Sequence, residues 1–316
     1  MTPHPSSPQR ISLPRDLPAA QALRDDGVVV TDGARDERSS GAAVRVALLN
    51  LMPNKPVTEL QFARLLACAP CPVDLTLVRV GSHASRRTPS SHLNRYYRTW
   101  DQVAGEPFDG LVVTGAPVET LAFHHVDYWS ELQEILDWAE ASVARSLFIC
   151  WAAQAALYHR FGIGKRTLVR KAFGVFEQTV RRPDRPVLQG MGPTFKTPVS
   201  RHTDVTEADV ASRPELAILA SSEETGLCLV EDESRGSLMM FNHLEYGDLS
   251  LDAEYTRDRL ESRDIALPAN YYPDDDPARV PADSWGAGAR TFFSNWVGDA
   301  AQTRTASRRA AHGDMT

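Results

Sequence analysis

The chain has 316 residues, a net charge of −7, and 42% hydrophobic against 24% charged residues. That length can bury a large core, as one big α/β domain or two smaller ones. An acidic balance with no basic stripe among aromatics argues against a general nucleic-acid binder and gives no steering toward anionic membranes.

Residues 1–10 are polar, with no apolar signal segment, and read as a disordered tail. No apolar run approaches the roughly 18–20 residues that a bilayer span needs. With only four cysteines, the expected setting is a reducing cytoplasm rather than a disulfide scaffold. The first strong strand signal is Val44 to Leu51. A helix follows from Thr58 to Ala67, with Thr58 as N-cap and Phe62, Leu65 and Leu66 on its apolar face. Cys68-Ala69-Pro70-Cys71 has redox spacing, but it ends a helix and precedes a strand, the reverse of the usual order, so it reads as a connection. A zinc site is not expected, because no second Cys or Cys/His pair lies at ligand spacing.

Val73 to Val80 and Gly110 to Gly115 are the next strands. An amphipathic helix runs from Tyr128 to Ala144, with Trp129, Leu132, Ile135, Leu136 and Ala139 on one face. Leu147 to Cys150 is a fourth strand, and a helix opens at once behind it. In the second half, Phe173 to Val180, Leu216 to Leu219 and Ser237 to His243 read as strands, Asp252 to Glu261 as a helix, and Leu267 to Pro277 as a loop. The Arg/Ala-rich stretch 301–316 reads as a second disordered tail, leaving one domain over 11–300.

Strands separated by helices indicate a mostly parallel sheet covered on both faces, with ligands bound beyond the carboxyl ends of its strands. The loops Asn50–Lys55, Thr114–Glu119 and Cys150–Gln154 meet that description. Cys150 stands where a strand-to-helix turn would present a nucleophile, beside the N–H groups and partial positive charge of a helix start. A small buried hydrophobe is the competing reading, since free cysteine is among the most buried residue types. A nucleophilic thiol needs a base, and the base needs an orienting group. His243 and Glu245, at the end of a predicted strand, are the best pair; a solvated surface histidine and carboxylate would have the same spacing. His202 is the runner-up base.

A set of strings in one order carries a resemblance. They are Asn50-Leu51-Met52-Pro53-Asn54-Lys55, Thr114-Gly115-Ala116-Pro117-Val118-Glu119, Asp127-Tyr128-Trp129, Cys150-Trp151-Ala152 and Gly174-Val175-Phe176-Glu177. Ser200-Arg201, His243-Leu244-Glu245-Tyr246, Pro268-Ala269-Asn270-Tyr271-Tyr272-Pro273 and Phe293-Ser294-Asn295-Trp296 complete it. The chain resembles the homoserine O-acyltransferases of the MetA family, relatives of the class I glutamine amidotransferases, from about residue 11 to about 300.

The resemblance implies a flavodoxin-like α/β fold, shared with the class I glutamine amidotransferases, with C-terminal insertions. It implies Cys150 as the acyl-accepting nucleophile, His243 as base and Glu245 as its acidic partner. Lys171, Ser200 and Arg257 would bind the amino-acid substrate, with Lys55 nearby. The expected substrates are L-homoserine and an acyl-CoA, with no bound cofactor or metal, and a homodimer is implied. Backbone amides of Trp151 and Ala116 would form the oxyanion hole.

The family's residue at Glu119 helps select the acyl group; glycine there leaves room for succinyl, and glutamate goes with acetyl. A carboxylate would also repel the free carboxylate of a succinyl group, so acetyl-CoA is favoured over succinyl-CoA. The chain departs from the family pattern at Asn242, Leu244 and Gly247 around the base, and at Val199 before Ser200. A glutaminase-like hydrolase and a non-catalytic binding protein on the same fold are the alternatives.

Overall fold

A computed structural model describes residues 9–32, 43–85, 87–261 and 264–313. The chain opens with β1 (Arg10–Ser12), α1 (Pro18–Asp25) and β2 (Val29–Thr31), followed by β3 (Val44–Leu49), α2 (Lys55–Ala67) and β4 (Val73–Arg79). Next come α3 (Ser90–Tyr96), β5 (Arg98–Thr99), α4 (Trp100–Val103), β6 (Phe108–Val113), α5 (Trp129–Ser142), β7 (Val143–Ile149) and α6 (Trp151–Phe161). The second half holds β8 (Arg166–Val180), β9 (Thr194–Asp204), α7 (Glu207–Ala211), β10 (Leu216–Ser222), β11 (Gly226–Asp232), β12 (Ser237–Met240), α8 (Ser250–Leu260) and α9 (Gly286–Gly313).

The strands form one 12-stranded sheet, ordered β2-β1-β4-β3-β6-β7-β12-β11-β10-β8-β9, with β5 beside β4. From β2 to β12 every pairing is parallel. Beyond β12 the ladder turns antiparallel. The expected mostly parallel sheet is therefore present, with an antiparallel wing inserted between α6 and β12. Alternation along β3 sorts its side chains onto two faces. Val46 and Leu48 pack with Phe62 of α2 and Phe292, Phe293 and Trp296 of α9. Ala47 and Leu49 pack with Leu132 and Ile135 of α5 and Trp151 of α6. A smaller apolar cluster joins Phe173 and Val175 of β8 to Leu251, Tyr271, Tyr272 and Trp285.

Three local expectations are corrected. Helix α2 begins at Lys55 rather than Thr58; Pro56 suits its first turn, and the Thr58 hydroxyl donates back to the Asn54 carbonyl instead of capping. The strand leading to His243 ends at Met240, so His243 stands on the connection beyond it. The expected tail from residue 301 is helical through Gly313 as the end of α9. Alanine-rich sequence favours helix once packing helps it. Here Arg304 donates to the Ala43 carbonyl at 2.5 Å and pairs with Asp109 at 3.1 Å, which ties the last turns to the sheet. At the other end, Arg10 belongs to β1, and residues 1–8 lie outside the described residues.

Candidate functional site

The site is built where neighbouring parallel strands end. β6, β7 and β12 lie side by side, with Val113 paired to Phe148 and Met240 paired to Ile149. Their next residues, Thr114-Gly115, Cys150 and Phe241 onward, therefore leave the sheet along one edge. The β3 loop joins them, because the Leu51 amide donates to the Thr114 hydroxyl at 2.8 Å.

Cys150 lies between β7 and α6 with φ 51° and ψ −111°. A left-handed φ at a residue with a Cβ costs roughly 1–3 kcal/mol, so surrounding contacts must hold it. The Cys150 amide donates to the Met240 carbonyl at 2.7 Å. Trp151 opens α6, where first-turn amides have no intrahelical acceptor. Gly115 completes the enclosure: a Cβ there would lie 3.4 Å from the Cys150 Cβ and 3.6 Å from His243 Cε1. Ala116 follows it, buried.

His243 is buried at 4% exposure, and its amide donates to the Pro198 carbonyl at 2.9 Å. Its Nδ1 lies 2.7 Å from Glu245 Oε1. The imidazole is within hydrogen-bonding reach of Cys150. Burial disfavours charge on the ring, but the Glu245 carboxylate and Cys150 outweigh it and hold the imidazole well above its ordinary pKa. Tyr246 stacks on the ring, with centroids 4.2 Å apart and planes at 21°. Cys150, His243 and Glu245 thus come together as thiol, imidazole and carboxylate, an arrangement able to activate a nucleophile.

Lys171, Ser200 and Arg257 also converge, through residues that sequence reasoning missed. Ser200 donates to Glu254 Oε2 at 2.5 Å, and Tyr246 to Glu254 Oε1 at 2.6 Å. Lys171 bridges Glu254 at 3.2 Å and Asp258 at 3.1 Å. Arg257 pairs with Asp258 at 2.7 Å. Burial would raise the Glu254 pKa, but Lys171 and the hydroxyls of Ser200 and Tyr246 outweigh it and lower it. Glu254 and Asp258 are one helical turn apart on α8, a spacing readable in the sequence, although nothing local separates them from the other acids around them.

Lys55 is buried beneath the β3 loop rather than open to the site. Its ammonium donates to the carbonyls of Asn50 and, at 3.2 Å, Met52. Burial, only partly offset by Glu59, pushes its pKa down to about 8. Glu119 is half-buried, and its carbonyl accepts from Lys165 at 2.5 Å. His202 lies on β9, outside the Cys150–Glu245 contacts just described.

The departures around the base have structural partners. Asn242 accepts from Arg201 at 2.6 Å and donates to Thr197 at 2.7 Å, all buried, which fixes the backbone just before His243. Val199 and Leu244 are core residues. Among the described residues, no group of three or more His, Cys, Asp or Glu side chains could hold a metal ion, and no helix is long and apolar enough to cross a membrane.

Solved structures share the fold. A glutamine amidotransferase from Thermotoga maritima superposes with TM-score 0.53 at 10% identity, over 82% of this chain and 98% of that one. A glutamine amidotransferase from Methylobacillus flagellatus gives 0.50 at 12%, over 82% and 95%. Sequence relatives are much closer. Proteins named homoserine O-acetyltransferase from Novosphingobium aromaticivorans and from Hyphomonas neptunium are each 45% identical over 293 residues, covering 93% of this chain and 96% of theirs. A family model described as homoserine O-succinyltransferase matches residues 10–306. The chain therefore belongs to the homoserine O-succinyltransferase family and is an acyltransferase.

Proposed function

We propose that the protein transfers an acetyl group from acetyl-CoA to the hydroxyl of L-homoserine by a ping-pong route through a Cys150 thioester, as a step toward methionine. The observation that carries this is the 2.7 Å contact of His243 Nδ1 with Glu245, on an imidazole that also reaches Cys150. His243 takes the thiol proton, and Glu245 stabilises the resulting imidazolium. The thiolate attacks the thioester carbonyl, and the amides of Trp151 and Ala116 receive the developing oxyanion. The tetrahedral adduct collapses, His243 returns its proton to the departing CoA sulfur, and the acyl group stays on Cys150. The homoserine hydroxyl then gives its proton to His243 and attacks the acyl-enzyme. Collapse yields the ester and restores the Cys150 thiol.

Arg257 is suited to the homoserine carboxylate through its planar fork. Lys171 and Ser200, both on Glu254, line the same side of the site and hold the acceptor with it. Glu119 favours acetyl because its carboxylate would repel the free carboxylate of a succinyl group.

Mixing the protein with acetyl-CoA alone should add one acetyl mass to the Cys150 peptide and release one equivalent of CoA. Adding homoserine should then clear the adduct. Cys150→Ala should lower transfer by about 1,000-fold or more. Full activity in that variant, or no adduct in the unmodified protein, would overturn the covalent route. Ammonia release from glutamine without CoA would favour a glutaminase instead.

A further inference from the structure

Lys165 follows the end of α6, and its side chain turns back toward the loop that carries Glu119. Its ammonium donates to the Glu119 carbonyl at 2.5 Å and the Leu121 carbonyl at 2.7 Å. It lies over the Phe123 ring, 4.5 Å from the centroid. Phe123 in turn packs on Trp151, the residue after Cys150, with ring centroids 6.0 Å apart. Lys165 is therefore wedged between the Glu119 loop and the aromatic wall beside the nucleophile position. An ammonium has three protons to donate, and the two carbonyls use two.

We propose that Lys165 and Glu119 act as one acyl-selecting unit: the lysine supplies the cation that a dicarboxylic acyl group needs, and the glutamate neutralises it. This rests on the acyl-CoA reading above and adds a specificity residue to it. An acetyl group on Cys150 carries no charge to place. A succinyl group must bring a second carboxylate into partly buried surroundings, which is costly without a counter-charge. Lys165 feels the charges of both Glu119 and Cys150, against a burial that pushes its pKa down to about 8. While Glu119 is present, its charge offsets that of Lys165, and an incoming carboxylate meets repulsion. When Glu119 is removed, the same ammonium becomes the recognition element. Selectivity at position 119 is then a matter of charge as well as space, and it depends on a residue 46 positions away in the chain.

The test compares succinyl-CoA with butyryl-CoA, a neutral donor with the same number of acyl carbons. The kcat/KM with homoserine and the extent of Cys150 acylation are measured for the unmodified protein, Glu119→Gly, Glu119→Gly/Lys165→Met and Glu119→Gly/Lys165→Arg. Glu119→Gly should raise the succinyl-to-butyryl ratio about tenfold or more. Adding Lys165→Met should remove most of that rise, and adding Lys165→Arg should keep it. If Lys165 only braced the loop, its loss would lower both donors together and leave the ratio high, which overturns the proposal. An unchanged ratio in Glu119→Gly also overturns it. If acetyl-CoA fails to acylate Cys150 in the unmodified protein, the acyl-CoA reading falls first, and this proposal falls with it.

Discussion

Cys150 holds a left-handed backbone that a non-glycine residue adopts only when its surroundings enforce it. The Met240 carbonyl and the start of α6 provide that enforcement, and they aim the thiol at His243. The other three cysteines offer an internal comparison. Burial raises the thiol pKa of Cys68 and Cys71, and it pushes Cys228 up to about 12. At pH 7, limiting iodoacetamide should therefore label Cys150 first, although Cys68 and Cys71 are more exposed. His243→Ala should slow that labelling by about tenfold or more. Peptide mapping that found Cys68 or Cys71 modified first would contradict the coupling of Cys150 to His243. Cys150, His243 and Glu245 were legible in the sequence because each sits in a short string at the end of a strand. Glu254 was not, because it is one of several acids between Asp248 and Glu261. It stands out only when packing of α8 brings it under Ser200, Tyr246 and Lys171.

At the scale of elements, the segment around residues 267–277 depends on one point of β8. Gly174 has φ +144°, and a Cβ there would lie 2.3 Å from the Ala269 carbonyl oxygen. The two backbones are joined by the Val175 amide on the Ala269 carbonyl at 2.8 Å and the Ala269 amide on the Phe173 carbonyl at 3.0 Å. This join packs Tyr271 and Tyr272 against α8, the helix that carries Glu254 and Arg257. Gly174→Ala should cost about 2 kcal/mol or more in urea unfolding and lower kcat/KM for the acceptor. Gly27→Ala is the control, with φ +81° and nothing within 4 Å of the added Cβ. It should cost about 1 kcal/mol and leave activity intact. Equal losses in both variants would show that the Ala269 contact does nothing. The loop nature of this segment was readable from its Pro and Asp content. Its docking was not, because the partner glycine lies some 95 residues earlier and the join is made by backbone atoms. The end of α9 was hidden for a similar reason: an Arg/Ala-rich stretch looks solvated until Arg304 finds Asp109 across the fold.

For the whole molecule, alternating strand and helix signals made the parallel half and its carboxyl-edge loops legible. The antiparallel wing was less so, because its register comes from pairings between distant segments, such as Ala220 with Val180. Burying charge beneath those loops has a cost that global stability should report. Lys55 is 6% exposed, and its pKa falls from 10.5 to about 8, mainly through burial. Below about pH 8 both folded and unfolded chains carry this proton, and the folded state bears the full penalty, about 3 kcal/mol. Between about pH 8 and 10.5 the unfolded chain binds more protons at this site, so stability rises with pH. Carbonyls of Asn50 and Met52 and the nearby Glu59 offset part of the penalty at every pH, but they do not change its slope. Urea unfolding of the unmodified protein and of Lys55→Met should therefore give a difference that moves toward the unmodified protein by about 2 kcal/mol from pH 8 to pH 10. Buried tyrosines far from Lys55, such as Tyr128, titrate in both proteins and drop out of that difference. A difference that stayed flat would mean that the ammonium reaches water, and that the β3 loop is looser over Lys55 than its two carbonyl contacts describe.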